Sequence, residues 1–159
     1  MRPTRVPSHS GARYFLSIID DFSRKVWTYI LKQKSEAFEK FKEWKILVET
    51  QTNRKVRKLR TDNGLEFYSK EFNQFCIKQG IERHKTIWGT PQQNGLAERM
   101  SQTIMEMVKC IISSANYSTH FWDEAVMVIT YLISRSPSTA IEMKTPEESG
   151  VVTLQILDI

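Results

Sequence analysis

The sequence predicts a mixed α/β fold with helices laid against a sheet, on three observations. RYFLSIID at 13–20 is nearly continuously apolar and aromatic, as a strand covered on both faces should be, and after the DFSR turn KVWTYIL at 25–31 is β-branched and aromatic, so the two read as a hairpin. Downstream, stretches with helical spacing alternate with short strand-like stretches. The 159 residues, 40% hydrophobic and 26% charged, suffice for one domain with a real core.

The elements follow in order. Ser35 is placed to cap a helix in which Ala37, Phe38, Phe41, Trp44, Leu47 and Val48 recur at helical spacing. NRKVRKLRTD gives a turn and a short basic strand carrying Val56 and Leu59, ending at Asp62. In SKEFNQFCIKQG, Ser69 caps a helix with Phe72, Phe75 and Cys76 on one face, and Gly80 stops it. IERHKTI reads as a strand, and WGTPQQNG, with its glycines and proline, as a mobile loop. Helices follow from about Leu96 to Ser113 and from about Thr119 to Ser134. The tail TPEESGVVTLQILDI starts as a helix cap and then has no clear pattern.

A formal charge of +5 is compatible with a polyanionic partner. MRPTRVPSHSG has no apolar core of the kind a secretory signal needs, and AVMVITYLI at 125–133 is too short to cross a bilayer, so no membrane partner is expected. Cys76 and Cys110 lie in helical patterns without CxxC spacing, and His9, His84 and His120 are scattered. The sequence therefore points to no zinc site but to two buried free thiols in a reducing compartment.

Two carboxylates stand out. Asp62, in RTDNGLEF, falls at the C-terminal end of a strand, where open α/β sheets place ligand-binding residues. Glu98 falls in the first turn of the long helix. There Leu96, Met100, Ile104, Met107, Val108 and Ile111 form one apolar stripe, and Glu98, Gln102, Met105 and Lys109 share the opposite face. Metal-assisted phosphodiester chemistry needs carboxylates converging from separate elements, because Mg²⁺ takes one or two of them and leaves its other positions to water and phosphate. Read alone, each acid also has a simpler use. Asp before Asn-Gly serves turn geometry, and Glu in a first helical turn complements the helix dipole.

Thirty-five residues separate Asp62 from Glu98. RTDNGLEF followed by GTPQQNGLAERMSQTI resembles the second and third acidic motifs of the DDE integrases, specifically the integrase cores of copia-type LTR retrotransposons. RYFLSIIDDFSRKVWTYIL is similar to their second and third strands, and FWDEAVMVITYLISRSPSTAI with TPEE to the helical stretch after their core.

The resemblance covers residues 3–148 and implies a ribonuclease H-like mixed sheet flanked by helices, lacking the family's first strand. It implies a catalytic core over 1–115, truncated at its N-terminus, and a helical extension with a divergent tail over 116–159. The implied activity is metal-dependent polynucleotidyl transfer, joining 3′-hydroxyl ends of element DNA to target DNA. Asp62 and Glu98 would be catalytic ligands of Mg²⁺ or Mn²⁺, two ions in an intact member. Asn94 and Gly95 would lie in the loop over the site, next to DNA. Arg99, Gln102 and Lys109 are candidates for phosphate contact from the helix face. The implied partners are element and target DNA and further copies of the chain, and the implied setting is the nucleus or a cytoplasmic particle.

The family's first Asp would precede the Gly-Pro before the hairpin, and Pro3 takes the place of that proline, so this acid is expected to be missing. Asp20 and Asp21 are expected to close the strand and cap its turn, not to bind metal. With the first strand absent from the centre of the 3-2-1-4-5 order, its neighbours should expose unpaired backbone groups. The isolated chain should then be marginally stable, prone to self-association and inactive. The alternative is a catalytically dead DNA-binding remnant of a retrotransposon polyprotein. A ribonuclease acting on RNA–DNA hybrids fits the spacing and the PQQNG…ER stretch less well.

Overall fold

A computed structural model of the chain describes residues 6–61, 67, 69–85, 95–150 and 154–158. Its elements are β1 (Tyr14–Asp20), β2 (Val26–Leu31), α1 (Ala37–Thr52), β3 (Lys58–Thr61), α2 (Lys70–Lys78), β4 (Glu82–Lys85), α3 (Gly95–Ser114), α4 (Trp122–Arg135), α5 (Pro146–Ser149) and β5 (Leu154–Asp158). The strands form one sheet in the order β2-β1-β5-β3-β4. β1 runs antiparallel to β2 and β5, and β3 runs parallel to β4 and β5.

Alternation along β1 builds two cores. Leu16 and Ile18 face α1 and α2, packing with Phe41, Trp44, Leu59, Phe67 and Phe72. Phe15 and Ile19 face α3 and α4, packing with Ala97, Ile104, Val126 and Ile129. Successive side chains of a strand point to opposite faces, so a strand buried on both must be apolar at nearly every position. Besides Asp20 at its end, Ser17 is the exception. Its hydroxyl lies 3.2 Å from the Ser101 hydroxyl on α3, which satisfies both buried groups.

The hairpin forms as expected, and Asp20 closes it. Its Oδ2 accepts from the Ser23 amide at 2.9 Å and the Ser23 hydroxyl at 2.6 Å. Ser69 caps α2 by accepting from the Phe72 amide, and Gly80, at φ +67°, ends that helical stretch in a conformation glycine adopts without steric cost.

Several expectations are corrected. Ser35 does not cap α1. A 3₁₀ turn at Lys34–Glu36 leads into the helix, and there the Glu36 carboxylate accepts from the Gln33 amide at 2.9 Å. Leu47 is exposed and Lys45 is buried in its stead, with its ammonium bonded to Glu49 at 2.9 Å and Gln79 at 3.0 Å. Cys76 is buried as expected, but Cys110 is exposed.

The buried stripe of α3 is Ala97, Ser101, Ile104, Val108 and Ile112, rotated from the expected one so that Met107 and Ile111 reach solvent. The cause is close approach. Ala97 and Ser101 are small enough to let the helix come down onto β1, and the Ser17–Ser101 contact needs that short distance.

The largest difference lies in the tail. The segment 154–158, without a legible pattern, forms β5 in the centre of the sheet and occupies the position expected to be vacant. Backbone groups of β1 and β3 expected to lack partners therefore pair with it. The helices on both faces and the mixed sheet are as the sequence predicts.

Candidate metal and nucleic-acid site

α3 carries the first candidate acid. Its buried stripe seats the helix against β1, and Glu98, next to buried Ala97, is thereby turned to solvent in the first turn. Gln102 and Lys109 are exposed too, while Met105, expected on the same face, packs partly against the core. Lys109 is eleven residues beyond Glu98, roughly 16 Å along the helix axis. It borders a separate cavity with Met105, Val108 and Trp122.

β3 leads to the second acid. Its last residue, Thr61, is fully buried, and its hydroxyl accepts from Arg83 Nη2 on β4 at 3.2 Å. The strand end that precedes Asp62 is thus pinned from the side. Asp62 and Asn94 themselves lie outside the described residues. Among the described residues, no three His, Cys, Asp or Glu side chains converge as a metal centre would require.

One cavity of about 460 Å³ is bordered by residues of β3 and of the start of α3. It is lined by Arg60, two residues before Asp62, and by Leu96 and Arg99, which flank Glu98. Arg24, Asp21, Met100, Ser138 and Ala140 also line it. Arg24 Nη1 is paired with Asp21 at 2.9 Å, and Arg60 and Arg99 bring two further guanidinium groups to the described part of the lining. A guanidinium presents a planar fork of donors that matches phosphate oxygens. Gly95 is buried at the start of α3. A β-carbon there would meet Arg99 Nη1 at 3.0 Å, so glycine is what lets the guanidinium fold back over the start of α3.

Sequence reasoning did not single out Arg24, Arg60 and Ser138, because they become neighbours only through the fold. It also passed over Asp158. The rung Thr61↔Leu157 aligns the parallel strands β3 and β5, and in the sequence each partner is followed by an aspartate, Asp62 and Asp158. No local signal marks Asp158, because the stretch around it has no clear pattern.

Residues 3–91 match the family described as integrase core domain. The chain is 47% identical over 145 residues to the retrovirus-related Pol polyprotein from transposon TNT 1-94 of Nicotiana tabacum, covering 91% of this chain and 11% of that protein. It is 34% identical over 134 residues to the Pol polyprotein from transposon RE2 of Arabidopsis thaliana, covering 84% of this chain and 9% of that one. The chain thus spans about a tenth of the length of the curated relatives it matches.

Among solved structures, the HTLV-2 integrase catalytic core domain in complex with magnesium, in its trimeric form, aligns with a TM-score of 0.66 at 22% identity, over 90% of this chain and 88% of that one. A chain of the simian T-cell lymphotropic virus intasome, in complex with PP2A regulatory subunit B56 gamma, aligns with a TM-score of 0.68 at 23% identity, over 92% of this chain and 51% of that one. Both place the fold as ribonuclease H-like. On the match over residues 3–91 and the identity with transposon polyproteins, this chain belongs to the integrase core domain family.

Proposed function

We propose that the chain is the DNA-handling core of a retrotransposon integrase. In this reading Asp62 and Glu98 hold a divalent cation, Mg²⁺ or Mn²⁺, and the arginine-lined cavity beside them takes backbone phosphates. In the full-length assembly of several copies the core joins element 3′-hydroxyl ends to target DNA. The isolated chain binds DNA without joining it.

The observation that carries this reading is the shared cavity. Arg60 precedes Asp62 by two residues, Leu96 and Arg99 flank Glu98, and all three border the same space. The donor set suits the ion, since both acids offer hard oxygens of the kind Mg²⁺ and Mn²⁺ prefer. When bound, the cation would stabilise negative charge at the reacting phosphodiester. The chain's own residues do the rest. Arg24, Arg60 and Arg99 hold phosphate, Gly95 gives the backbone room at the start of α3, and Gln102 and Lys109 extend the contact along the helix. Asn94, next to Gly95, is assigned to the DNA side of the same loop.

A second reading has one observation in its favour. Asp158 follows the β5 residue that is in register with Thr61, which brings a third acidic residue to the strand beside the one that leads into Asp62. If Asp158 supplies the acid expected to be missing, this chain turns over unaided.

The test is a strand-transfer and nicking assay in Mg²⁺ or Mn²⁺ on the chain and on Asp62→Asn, Glu98→Gln and Asp158→Asn, with DNA binding measured over a salt series. The proposal expects binding that weakens linearly in log salt, by a slope of about 0.9 per phosphate contact, and no joining above background by any of the four. Joining by the parent chain that all three substitutions abolish would establish the second reading. Absence of DNA binding at low salt would refute both.

A further inference from the structure

β5 follows every other element in sequence yet lies in the middle of the sheet. Its neighbours are zipped outward along their length. β1 meets β2 from Tyr14↔Leu31 through Ile19↔Val26, and β3 meets β4 from Lys58↔Glu82 through Thr61↔Lys85. Among the described residues, β5 meets β1 at Ser17↔Asp158, Ile18↔Leu157 and Asp20↔Leu154, with a shift of register between Ile18 and Asp20, and meets β3 at Thr61↔Leu157.

Within the sheet, the β2–β1 and β3–β4 pairs are therefore joined by one short strand. Gly150, four residues before it in sequence, has a φ of +66°, a conformation glycine reaches without steric cost. If the strand leaves, β1 and β3 each lose their inner partner while keeping the outer one, and both present main-chain donors and acceptors to the gap.

We infer that the gap between β1 and β3 is a strand-accepting site, and that its occupant exchanges between copies, the 154–158 segment of a second copy taking the place of the chain's own. Recognition is by main-chain pairing, as in strand addition to a sheet edge, except that here the incoming strand gains a neighbour on each side. Exchange restores the same rungs in another molecule, so the swapped dimer loses no native pairing and is favoured by concentration. The rungs on offer fix the direction of entry, antiparallel to β1 and parallel to β3.

The test uses the full chain carrying Cys110→Ser with Ser17→Cys and Asp158→Cys, whose α-carbons are partners in the β1–β5 seam. A second pair, Ile18→Cys with Leu157→Cys, covers failure of the first to fold. The probe is a fluorescent peptide with the sequence of residues 150–159. Oxidation at low protein concentration is expected to close the disulfide within one chain, and at high concentration to give disulfide-linked dimers. The reduced protein should bind the peptide saturably, the intrachain-locked protein should not, and reduction should restore binding. A peptide carrying Ile156→Pro, which removes a main-chain donor, should bind at least about tenfold more weakly. Failure of either pair to close in folded protein, or equal peptide binding by locked and unlocked forms, would overturn the inference. So would the lack of any binding and of any linked dimer.

Discussion

Replacing Glu49 by Gln tests the physical reading of the fold at the most demanding polar site in its interior. Glu49 accepts from Lys45 Nζ at 2.9 Å, Lys55 Nζ at 3.1 Å and the Val56 amide at 2.9 Å, and so ties α1 to the segment entering β3. The side chains of Lys45 and Glu49 are 5% and 10% exposed, whereas Lys55 is 80% exposed. The Lys55 contact therefore contributes little. The Lys45 pair is different, because losing the carboxylate leaves a buried ammonium with only Gln79 beside it.

Breaking such a pair from one side costs about 3 kcal/mol or more. The carboxamide introduced by Glu49→Gln still offers an oxygen to the Val56 N–H, so the lower end of that range applies. For a domain of this size each kcal/mol moves Tm by about 3 °C, giving a drop of about 9 °C. The double variant Lys45→Met/Glu49→Gln should recover at least about 1 kcal/mol of this, since both buried charges are then gone.

Burial pushes the Glu49 carboxyl up, but hydrogen bonds from Lys45, the Val56 amide and Lys55 outweigh it and hold the pKa below 4.5. The pair's contribution is thus complete above the unfolded-chain value of 4.5 and drains away as pH falls through the lower folded value. Urea unfolding at a series of pH values from neutral downward is the assay. The gap between parent and Glu49→Gln should be widest near neutrality and should close in acid. A cost below about 0.5 kcal/mol at neutral pH, or a gap independent of pH, would refute the reasoning.

Other outcomes follow from the same structure. Asp20→Ala removes the acceptor for both Ser23 donors and should cost about 1–2 kcal/mol in urea unfolding while leaving DNA affinity within about twofold, because Asp20 serves the turn. In a native thiol titration Cys110 should react fully, and Cys76, whose pKa burial raises, should stay silent until the protein is unfolded. Arg99→Ala should lower the salt slope of DNA binding by about 1 without changing stability by more than about 0.5 kcal/mol. Gly95→Ala should weaken DNA binding similarly, because the new methyl displaces only the far end of the Arg99 side chain.

The outer architecture is legible in the sequence wherever burial on one or both faces leaves a strong pattern. β1 is apolar at almost every position because both its faces are covered, and Ser69 and Gly80 mark their helical stretch because caps and positive φ demand particular residue types. The facing of α3 is not legible in the same way, because the contact that orients it is made by small residues. Ala97 and Ser101 weigh little in an apolar stripe but decide how closely the helix seats.

Lys45 escapes the pattern for a related reason. Its burial depends on Glu49 and on Gln79 from another segment, a partnership invisible to periodicity. β5 is illegible because its place is set by long-range pairing, with nothing local to announce it. At the site, spacing and resemblance single out Asp62 and Glu98. They do not reveal the arginine wall, since Arg24, Arg60 and Arg99 come from a turn, a strand and a helix far apart in sequence.

Titrating Mn²⁺ into the chain and following free ion by electron paramagnetic resonance tests most directly whether Asp62 and Glu98 serve one cation. If they do, Asp62→Asn and Glu98→Gln should each weaken binding at least about tenfold, and the double variant should be little worse than either, because removing one ligand already dissolves the shared site. Binding that survives both substitutions unchanged, or losses that add as independent sites would, contradicts the account.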